Sequence, residues 1–244
     1  MLSIPINSLL LALVMLFAGP VFADDGLEAY FGNRDAVGQY AYDGGSPSKA
    51  EMSMYAKRSP TPCEGPHADQ AVEVGVSNHW KWSVLYETRG ADAEQTRRAF
   101  DDSWQALRYL VEDLNCDDPL VLYRYGNSKH MQRDYDASSA VFGKAVTGIQ
   151  EHYPEMLPIL LGRYGEALGV TGDVEGSIAQ HRKILALVPN HVSAVLNLAG
   201  RLSRRLAPGD KEEARTLLIK SQRMGVSEYG EKVIDRIEAR LEAQ

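Results

Sequence analysis

The six histidines are the side chains of this sequence best suited to acid–base or metal chemistry, and they are scattered along the chain. They are His67, His79, His130, His152, His181 and His191. No two of them form the HExxH pattern or another pair with the spacing of metal ligands on one helix. The sequence therefore predicts no metal site, and we expect His181 to pack between helices.

Carboxylates and nucleophiles give no stronger sign of catalysis. Two adjacent carboxylates could share general acid and general base roles, but we interpret Asp101-Asp102 as a solvated face and Asp117-Asp118 as a helix cap. No GxSxG motif occurs, and the glycine-rich stretch 44–48 lacks the lysine of a phosphate-binding loop. We therefore predict no catalytic residue, no cofactor and no enzyme activity.

Residues 1–23 have the pattern of a secretory signal peptide. Residues 8–18 are almost wholly apolar, Gly19-Pro20 follows, and Ala23 offers a small residue at the cleavage site. The alternative is a membrane anchor, but the apolar run is short for a span, and no second run is long enough to cross a bilayer. We expect cleavage after Ala23 and a soluble mature protein that is periplasmic or secreted and not embedded in the membrane.

The two cysteines, Cys63 and Cys116, would then meet an oxidising compartment, where two cysteines more often pair than stay free. A disulfide between them would close a loop of about 50 residues and stabilise the fold by about 4 kcal/mol through chain entropy. The alternative is two separate buried thiols. Neither CxxC nor CxxCH occurs, so the sequence indicates no redox site and no haem attachment.

The net charge of −7 is unevenly distributed. Residues 24–118 carry a net charge of −9, whereas residues 119–244 carry +2. Nucleic-acid binding proteins concentrate basic residues on one face. The charge pattern therefore argues against a nucleic-acid partner.

Residues 24–117 form a predicted N-terminal acidic region, irregular at first and helical later. Turn-forming residues dominate up to about residue 70, and helices are predicted over 70–89 and 92–115. In the second helix, apolar residues recur about every 3.5 positions, as on the buried face of a helix; they are Phe100, Trp104, Leu107, Val111 and Leu114. Because Cys116 follows this helix, a disulfide would tie the proline-rich loop to it.

From Asp118 on, the chain repeats a small residue that is followed by three others at fixed spacing. Offsets of 12, 16 and 19 occur twice, in Gly126, Ser138, Phe142 and Ala145, and in Gly165, Ser177, His181 and Ile184. A looser third copy begins at Ala199. Repetition on this scale is typical of stacked helix pairs. Since small residues allow two helices to approach closely, we expect Gly126 to face Ser138 and Gly165 to face Ser177.

These residues resemble the tetratricopeptide repeat. LVLYRYG, SSAVF and KAV in 120–146, and ILLGRYG, GDVEGSIAQH and LVPN in 159–190, match its pattern. The sequence departs from the pattern at His181, where an aromatic is usual, and at Ile184, where alanine is usual. The resemblance covers about half of the mature chain. It implies an all-α, tetratricopeptide-like helical solenoid over 118–244, with about three helix pairs. An apolar stripe over 227–243 predicts the capping helix that such an array needs.

The resemblance also implies a concave groove, lined by the first helix of each pair, that takes a peptide or a partner helix. The matching positions are Tyr123, Asn127, His130, Met131, Ile159, Arg163, Glu166, Ser193 and Asn197. Some members of the family grip a terminal carboxylate with lysines in this groove. Here Tyr123 and Ser193 stand where those lysines would be needed, which leaves a mixed aromatic and polar groove.

These observations predict an exported, non-enzymatic protein- or peptide-binding module that acts as an adaptor or scaffold in the cell envelope. Two alternatives stay open. One is a periplasmic enzyme with its site in the N-terminal region, which a pocket joining His67 or His79 to a carboxylate would favour. The other is a secreted effector or toxin-neutralising protein, whose acidic N-terminal half would suit a basic partner.

Overall fold

The computed structural model describes residues 63–90, 93–226 and 228–243, all within one compact unit, Gly44–Gln244. The predicted signal peptide and the segment 24–62 lie outside the described residues. The described part of the chain contains nine α-helices and no strand, which confirms the predicted all-α class. None of these helices is long and apolar enough to cross a membrane.

The helices pack in consecutive pairs, as in a helical solenoid. The pairs are α1 (Ala68–Arg89) with α2 (Glu94–Arg108), α3 (Pro119–Met131) with α4 (Tyr135–His152), α5 (Leu157–Thr171) with α6 (Val174–Leu187), and α7 (Val192–Arg205) with α8 (Asp210–Met224). A last helix, α9 (Glu228–Glu242), packs on α7 and α8. A π-helical turn, Tyr109–Asp113, continues α2, and a 3₁₀ turn, Pro154–Met156, precedes α5. The N-terminal region thus contributes a further helix pair to the three that were predicted.

Aspartate side chains cap the N-terminal ends of the helices at three of the turns. Asp118 accepts a hydrogen bond from the Val121 amide at 2.7 Å, which confirms its predicted role as a cap. Asp134 begins α4 and Asp173 begins α6 in the same way. Such caps fix where each helix starts, so the connections stay short and successive helices remain neighbours.

The predicted contact between small residues joins the two helices of the second pair, and likewise the two helices of the third pair. The Ser138 hydroxyl donates to the Gly126 carbonyl at 3.1 Å, and the Ser177 hydroxyl donates to the Gly165 carbonyl at 2.6 Å. A Cβ atom at position 126 would lie 2.6 Å from Cε1 of Phe142. The two helices can therefore approach this closely only because position 126 has no side chain.

The first pair is built around the same contact. The Ser103 hydroxyl donates to the Gly75 carbonyl at 2.8 Å, and a Cβ atom at Gly75 would lie 3.0 Å from Cδ2 of Leu107. Leu107 and Leu110, four and seven positions after Ser103, are fully buried. Phe142 and Ala145 occupy the same places after Ser138. Pair α1–α2 is therefore a variant of the same structural unit.

Side chains at the end of α2 fasten the first pair to the second. The rings of Trp104 and Tyr125 stack with their centroids 5.4 Å apart, and the Lys129 ammonium lies 5.0 Å from the centre of the Trp104 ring. The Tyr125 hydroxyl donates to Glu112, which lies in the π-helical turn. Burial and this hydrogen bond both raise the pKa of Tyr125, so the phenol stays protonated.

The disulfide between Cys63 and Cys116 confirms the predicted pairing. The two Cα atoms are 5.0 Å apart, and the residues are 53 positions apart in the sequence. The Tyr109 hydroxyl donates to the Pro66 carbonyl at 2.7 Å, next to the bridge. The chain entering α1 is thus tied to the turn that follows α2.

The core runs along the array between neighbouring pairs. One cluster joins the second and third pairs around Phe142, Ile149 and Leu160. Another joins α7, α8 and α9 around Leu202, Leu218 and Ile237. The buried clusters therefore extend across successive helices of the array, as in other stacked repeats.

Candidate partner-binding face

The nine residues predicted to line a groove lie on the first helices of three consecutive pairs. α3 carries Tyr123, Asn127, His130 and Met131, α5 carries Ile159, Arg163 and Glu166, and α7 carries Ser193 and Asn197. α3 and α5 contact each other directly. His130 of α3 and Glu166 of α5 also lie side by side. We call the surface formed by the nine predicted positions on α3, α5 and α7 the inner face.

Most of these residues are accessible. Met131 and Ile159 are each 38% exposed, a high value for large apolar side chains. The side chain of Arg163 is 49% exposed. Ser193 and Asn197 are exposed as well, and Asn127 is half-buried. The inner face thus offers aliphatic, amide and charged groups to a partner.

Tyr123 and His130 are buried, at 8% and 7% exposure. The ring of Tyr123 lies in the core, with its centroid 6.3 Å from that of Phe142 on α4. A partner could reach little of this side chain. Tyr123 thus joins α3 to α4 and presents only a small part of its ring at the surface.

His130, Glu166 and Arg163 form a polar network between α3 and α5. Nε2 of His130 is 3.6 Å from Oε2 of Glu166, and Nη1 of Arg163 is 3.4 Å from the same oxygen. The hydrogen bond from His130, supported by the nearby positive charges, outweighs burial and lowers the pKa of Glu166. The ring of His130 also meets Tyr135 edge-on, at 5.0 Å between centroids. Glu166 is thus held as a carboxylate between two cationic or donor groups.

A residue outside the predicted set, Arg201 on α7, reaches across to α5. Its guanidinium donates to the Gly169 carbonyl at 3.1 Å. A Cβ atom at Gly169 would lie 2.1 Å from the guanidinium carbon. The missing side chain at position 169 therefore makes the room that Arg201 occupies.

The sequence contains a short basic run on α7, and the structure divides its members. Arg205 forms a bidentate ion pair with Asp210, at 2.6 and 2.8 Å, and also contacts Glu175 at 2.7 Å. Its charge is therefore used to hold the turn between α7 and α8 against α6. Arg204 is exposed.

Two buried histidines lie behind the inner face. His181 is fully buried against Gly165, as predicted, and neither ring nitrogen has a hydrogen-bond partner among the described residues. Burial, helped by the positive charge of Arg201, lowers the pKa of His181 to about 4. Burial also lowers the pKa of His79, next to the charges of Arg124 and Arg163. Both rings are neutral at pH 7 and serve as packing groups.

A cavity of about 270 Å³ opens beside the disulfide at the start of α1. It is lined by Cys63, His67 and Asp69, among others. Nδ1 of His67 is 3.0 Å from Oε1 of Gln70, and the sulfur of Cys63 is bonded to Cys116. The lining of the cavity thus contains a histidine and a carboxylate, and its cysteine is in a disulfide.

Within the described ranges, no three histidine, cysteine, aspartate or glutamate side chains come together in a way that could hold a metal ion. Comparison with known proteins adds no family: no protein-family model matches the chain, and no curated protein matches it. The tetratricopeptide resemblance therefore stays a prediction that rests on the residues quoted for it.

Proposed function

We propose that the mature protein is an exported, non-enzymatic module that binds a protein or peptide through its inner face, as an adaptor or scaffold. The observation that carries this proposal is that equivalent positions of the third and fourth pairs are exposed. Ile159 and Ser193 share one position of the repeat, and Arg163 and Asn197 share another; all four are accessible. Exposed groups repeated on neighbouring helix pairs are the elements from which solenoid proteins build extended binding surfaces.

Two further features support export. Residues 1–23 have the signal-peptide pattern, and the bridge between Cys63 and Cys116 is of the kind that persists in oxidising compartments. A periplasmic or secreted location is therefore part of the proposal.

The test is affinity capture from a periplasmic extract with the mature protein as bait. One bait carries Asn127→Ala, Ile159→Ala and Arg163→Ala on the inner face. The matched control carries Lys144→Ala, Gln150→Ala and Lys183→Ala, which are exposed positions on the second helices α4 and α6. Circular dichroism checks that both baits fold.

We expect the inner-face bait to lose partners that the unaltered protein and the control bait retain. If the inner-face bait keeps every partner, the proposed binding surface is wrong.

The cavity at His67 and Asp69 favours an enzyme as the second candidate. A panel of chromogenic esters, phosphates and glycosides would test it, with the unaltered protein beside a His67→Ala variant. Turnover that the substitution abolishes would support the enzyme. We prefer the binding module because exposed positions recur on α5 and α7.

A further inference from the structure

Four arginines at the C-terminal end of the array lie on two helices that pack together. We call them the arginine cluster: Arg201 and Arg204 on α7, and Arg236 and Arg240 on α9. Arg201 donates to the Gly169 carbonyl at 3.1 Å, and Arg240 donates to the Ser203 hydroxyl at 3.0 Å. Both acceptors are neutral, so these hydrogen bonds orient the guanidinium groups without cancelling their charge.

The positive charges of the cluster act on one another. Burial and the charge of Arg204 lower the pKa of Arg201. Burial, Arg204 and Arg236 lower the pKa of Arg240. The contact of Arg240 with Ser203, the residue before Arg204, brings the arginines of α9 next to those of α7, so the four side chains lie on one surface of the packed helices.

The cluster contrasts with neighbouring arginines that are neutralised. Arg205 is paired with Asp210 and Glu175, and Arg182 is paired with Glu213 at 2.7 Å. Within the described part of the chain, no member of the cluster takes part in an ion pair. The charge of Glu166 acts on Arg201, but this carboxylate already contacts His130 and Arg163.

We propose that the arginine cluster binds an acidic, extended segment of the protein partner. This inference rests on the proposed function and names the chemistry of the partner. Each guanidinium offers a planar fork of donors that matches a carboxylate. A partner carboxylate would also relieve the repulsion among like charges that are partly removed from water.

The spacing of the cluster suits a polypeptide. One helical turn, about 5 Å, separates Arg201 from Arg204, and Arg236 and Arg240 are also about one turn apart. Packed helices lie about 8–10 Å apart. In an extended peptide, side chains on one face recur about every 7 Å. Acidic residues at alternate positions of one strand could therefore meet arginines of both α7 and α9.

The experiment uses the mature full-length protein and a fluorescein-labelled peptide of about ten residues in which glutamate alternates with serine, long enough at about 3.4 Å per residue to cross both helices. Fluorescence anisotropy measures its affinity at low and at physiological salt. A peptide with glutamine in place of glutamate controls for charge. We expect the glutamate peptide to bind, the affinity to fall as salt rises, and the glutamine peptide not to bind.

The variants are Arg204→Gln and Arg236→Gln, both at exposed positions, so that neither should disturb folding. We expect each to weaken binding by up to about fivefold, as expected for the loss of one exposed ion pair, and the charge reversal Arg204→Glu to weaken it further. The matched control is Arg97→Gln, an exposed arginine on α2, which should bind the peptide as the unaltered protein does.

Equal binding by the cluster variants and the unaltered protein would overturn the proposal, as would equal binding of the glutamine peptide. Tighter binding of a DNA oligonucleotide or of inorganic phosphate than of the peptide would also overturn it. The two proposals fail separately. If the inner-face bait loses its partners while the acidic peptide does not bind, only the cluster is wrong. If the peptide binds while the inner-face bait keeps its partners, only the groove is wrong.

Discussion

At the residue scale, three glycines of the array differ in what fills the space that a side chain would take. At Gly126 it is the ring of Phe142, at Gly165 it is mainly the ring of His181, and at Gly169 it is the guanidinium of Arg201. The first two let helices of one pair approach each other. The third lets a charged group from the next pair cross to α5. Two of the glycines therefore serve packing within a pair, and the third makes room for a residue of the proposed binding surface.

Substitution of Gly126 by alanine should destabilise the protein. The new Cβ would lie 2.6 Å from a ring atom of Phe142, whose side chain is fully buried and cannot move aside. We expect a loss of about 1–3 kcal/mol in the free energy of unfolding, the usual effect of overpacking a core. The measurement is urea unfolding followed by circular dichroism.

Gly162→Ala is the control, because its Cβ would lie 3.9 Å from the nearest atom, Cδ1 of Ile184. There we expect no loss and a gain of up to about 1 kcal/mol from the better helix propensity of alanine. Equal stability of the two variants would show that the close approach at position 126 has no energetic weight.

His181 should make stability depend on pH. Its pKa is about 4 in the folded protein, against an ordinary value of 6.5. Below pH 6.5 the unfolded chain binds a proton that the folded protein does not bind until about pH 4, so the free energy of unfolding falls through this window. The contribution of this side chain should reach about 3 kcal/mol at most.

The substitution His181→Phe removes this titration. It places a phenylalanine ring in the third pair at the position that Phe142 occupies in the second. We expect the loss of stability between about pH 7 and about pH 5 to be smaller in the variant than in the unaltered protein. His79 stays in both proteins and titrates equally in them. The same pH dependence in both would mean that His181 is not the group responsible.

At the element scale, the sequence predicted the second and third helix pairs well because each encodes its own contact. Gly126 and Ser138 stand 12 positions apart, and so do Gly165 and Ser177, which is the distance that a short turn between two helices requires. The repeated spacing also placed His181 correctly in the core. In contrast, Gly75 and Ser103 stand 28 positions apart, because α1 is long and the link to α2 adds residues. The contact is the same, but its longer spacing in the sequence does not match the spacing of 12 in the other pairs. The repeat pattern therefore did not include the first pair.

The candidate face was predicted less completely. Family positions located Ile159, Arg163 and Asn197, all of which are accessible, but they gave no measure of burial and so also included Tyr123 and His130, which are buried. They also omitted Arg201 and Arg240. These two residues are 39 positions apart in the sequence, and only the packing of α9 on α7 brings them onto neighbouring helices. Contacts between pairs depend on how the pairs stack, which no single repeat encodes.

Removing the disulfide should loosen the first pair. The bridge closes a loop over 53 positions, and without it the unfolded chain gains entropy worth up to about 4 kcal/mol. We expect the double variant Cys63→Ser, Cys116→Ser to unfold at a lower temperature than the unaltered protein. Thermal unfolding with and without reductant measures this. The double variant should not respond to reductant, whereas the unaltered protein should; an unaltered protein that is fully reduced by mass yet equally stable would refute the role of the bridge.

At the scale of the whole molecule, the described helices form a chain of neighbours. The second and third pairs share one buried cluster, and the fourth pair shares another with α9. In such an array, stability is close to a sum of repeat and interface terms, so a change at one end acts mainly on the adjacent pair. The arginine cluster lies at the α9 end and the disulfide at the α1 end, so the two features can be perturbed separately.

Deletion of residues 228–244 tests this linear arrangement. It removes Ile234, Ile237 and Leu241, which are buried against α7 and α8, and so exposes the apolar residues beneath them. We expect amide hydrogen exchange to rise strongly in α7 and α8, less in α5 and α6, and little in α1 to α4, because the lost contacts belong to the last interface. Exchange measured by mass spectrometry on the full-length and shortened proteins gives the comparison. As a matched control, Glu231→Ala and Glu238→Ala alter only exposed positions of α9 and should leave the exchange pattern unchanged. If the deletion instead raises exchange equally in all pairs, the molecule folds as one cooperative unit. Partner binding at the arginine cluster would then lower amide exchange in every helix pair.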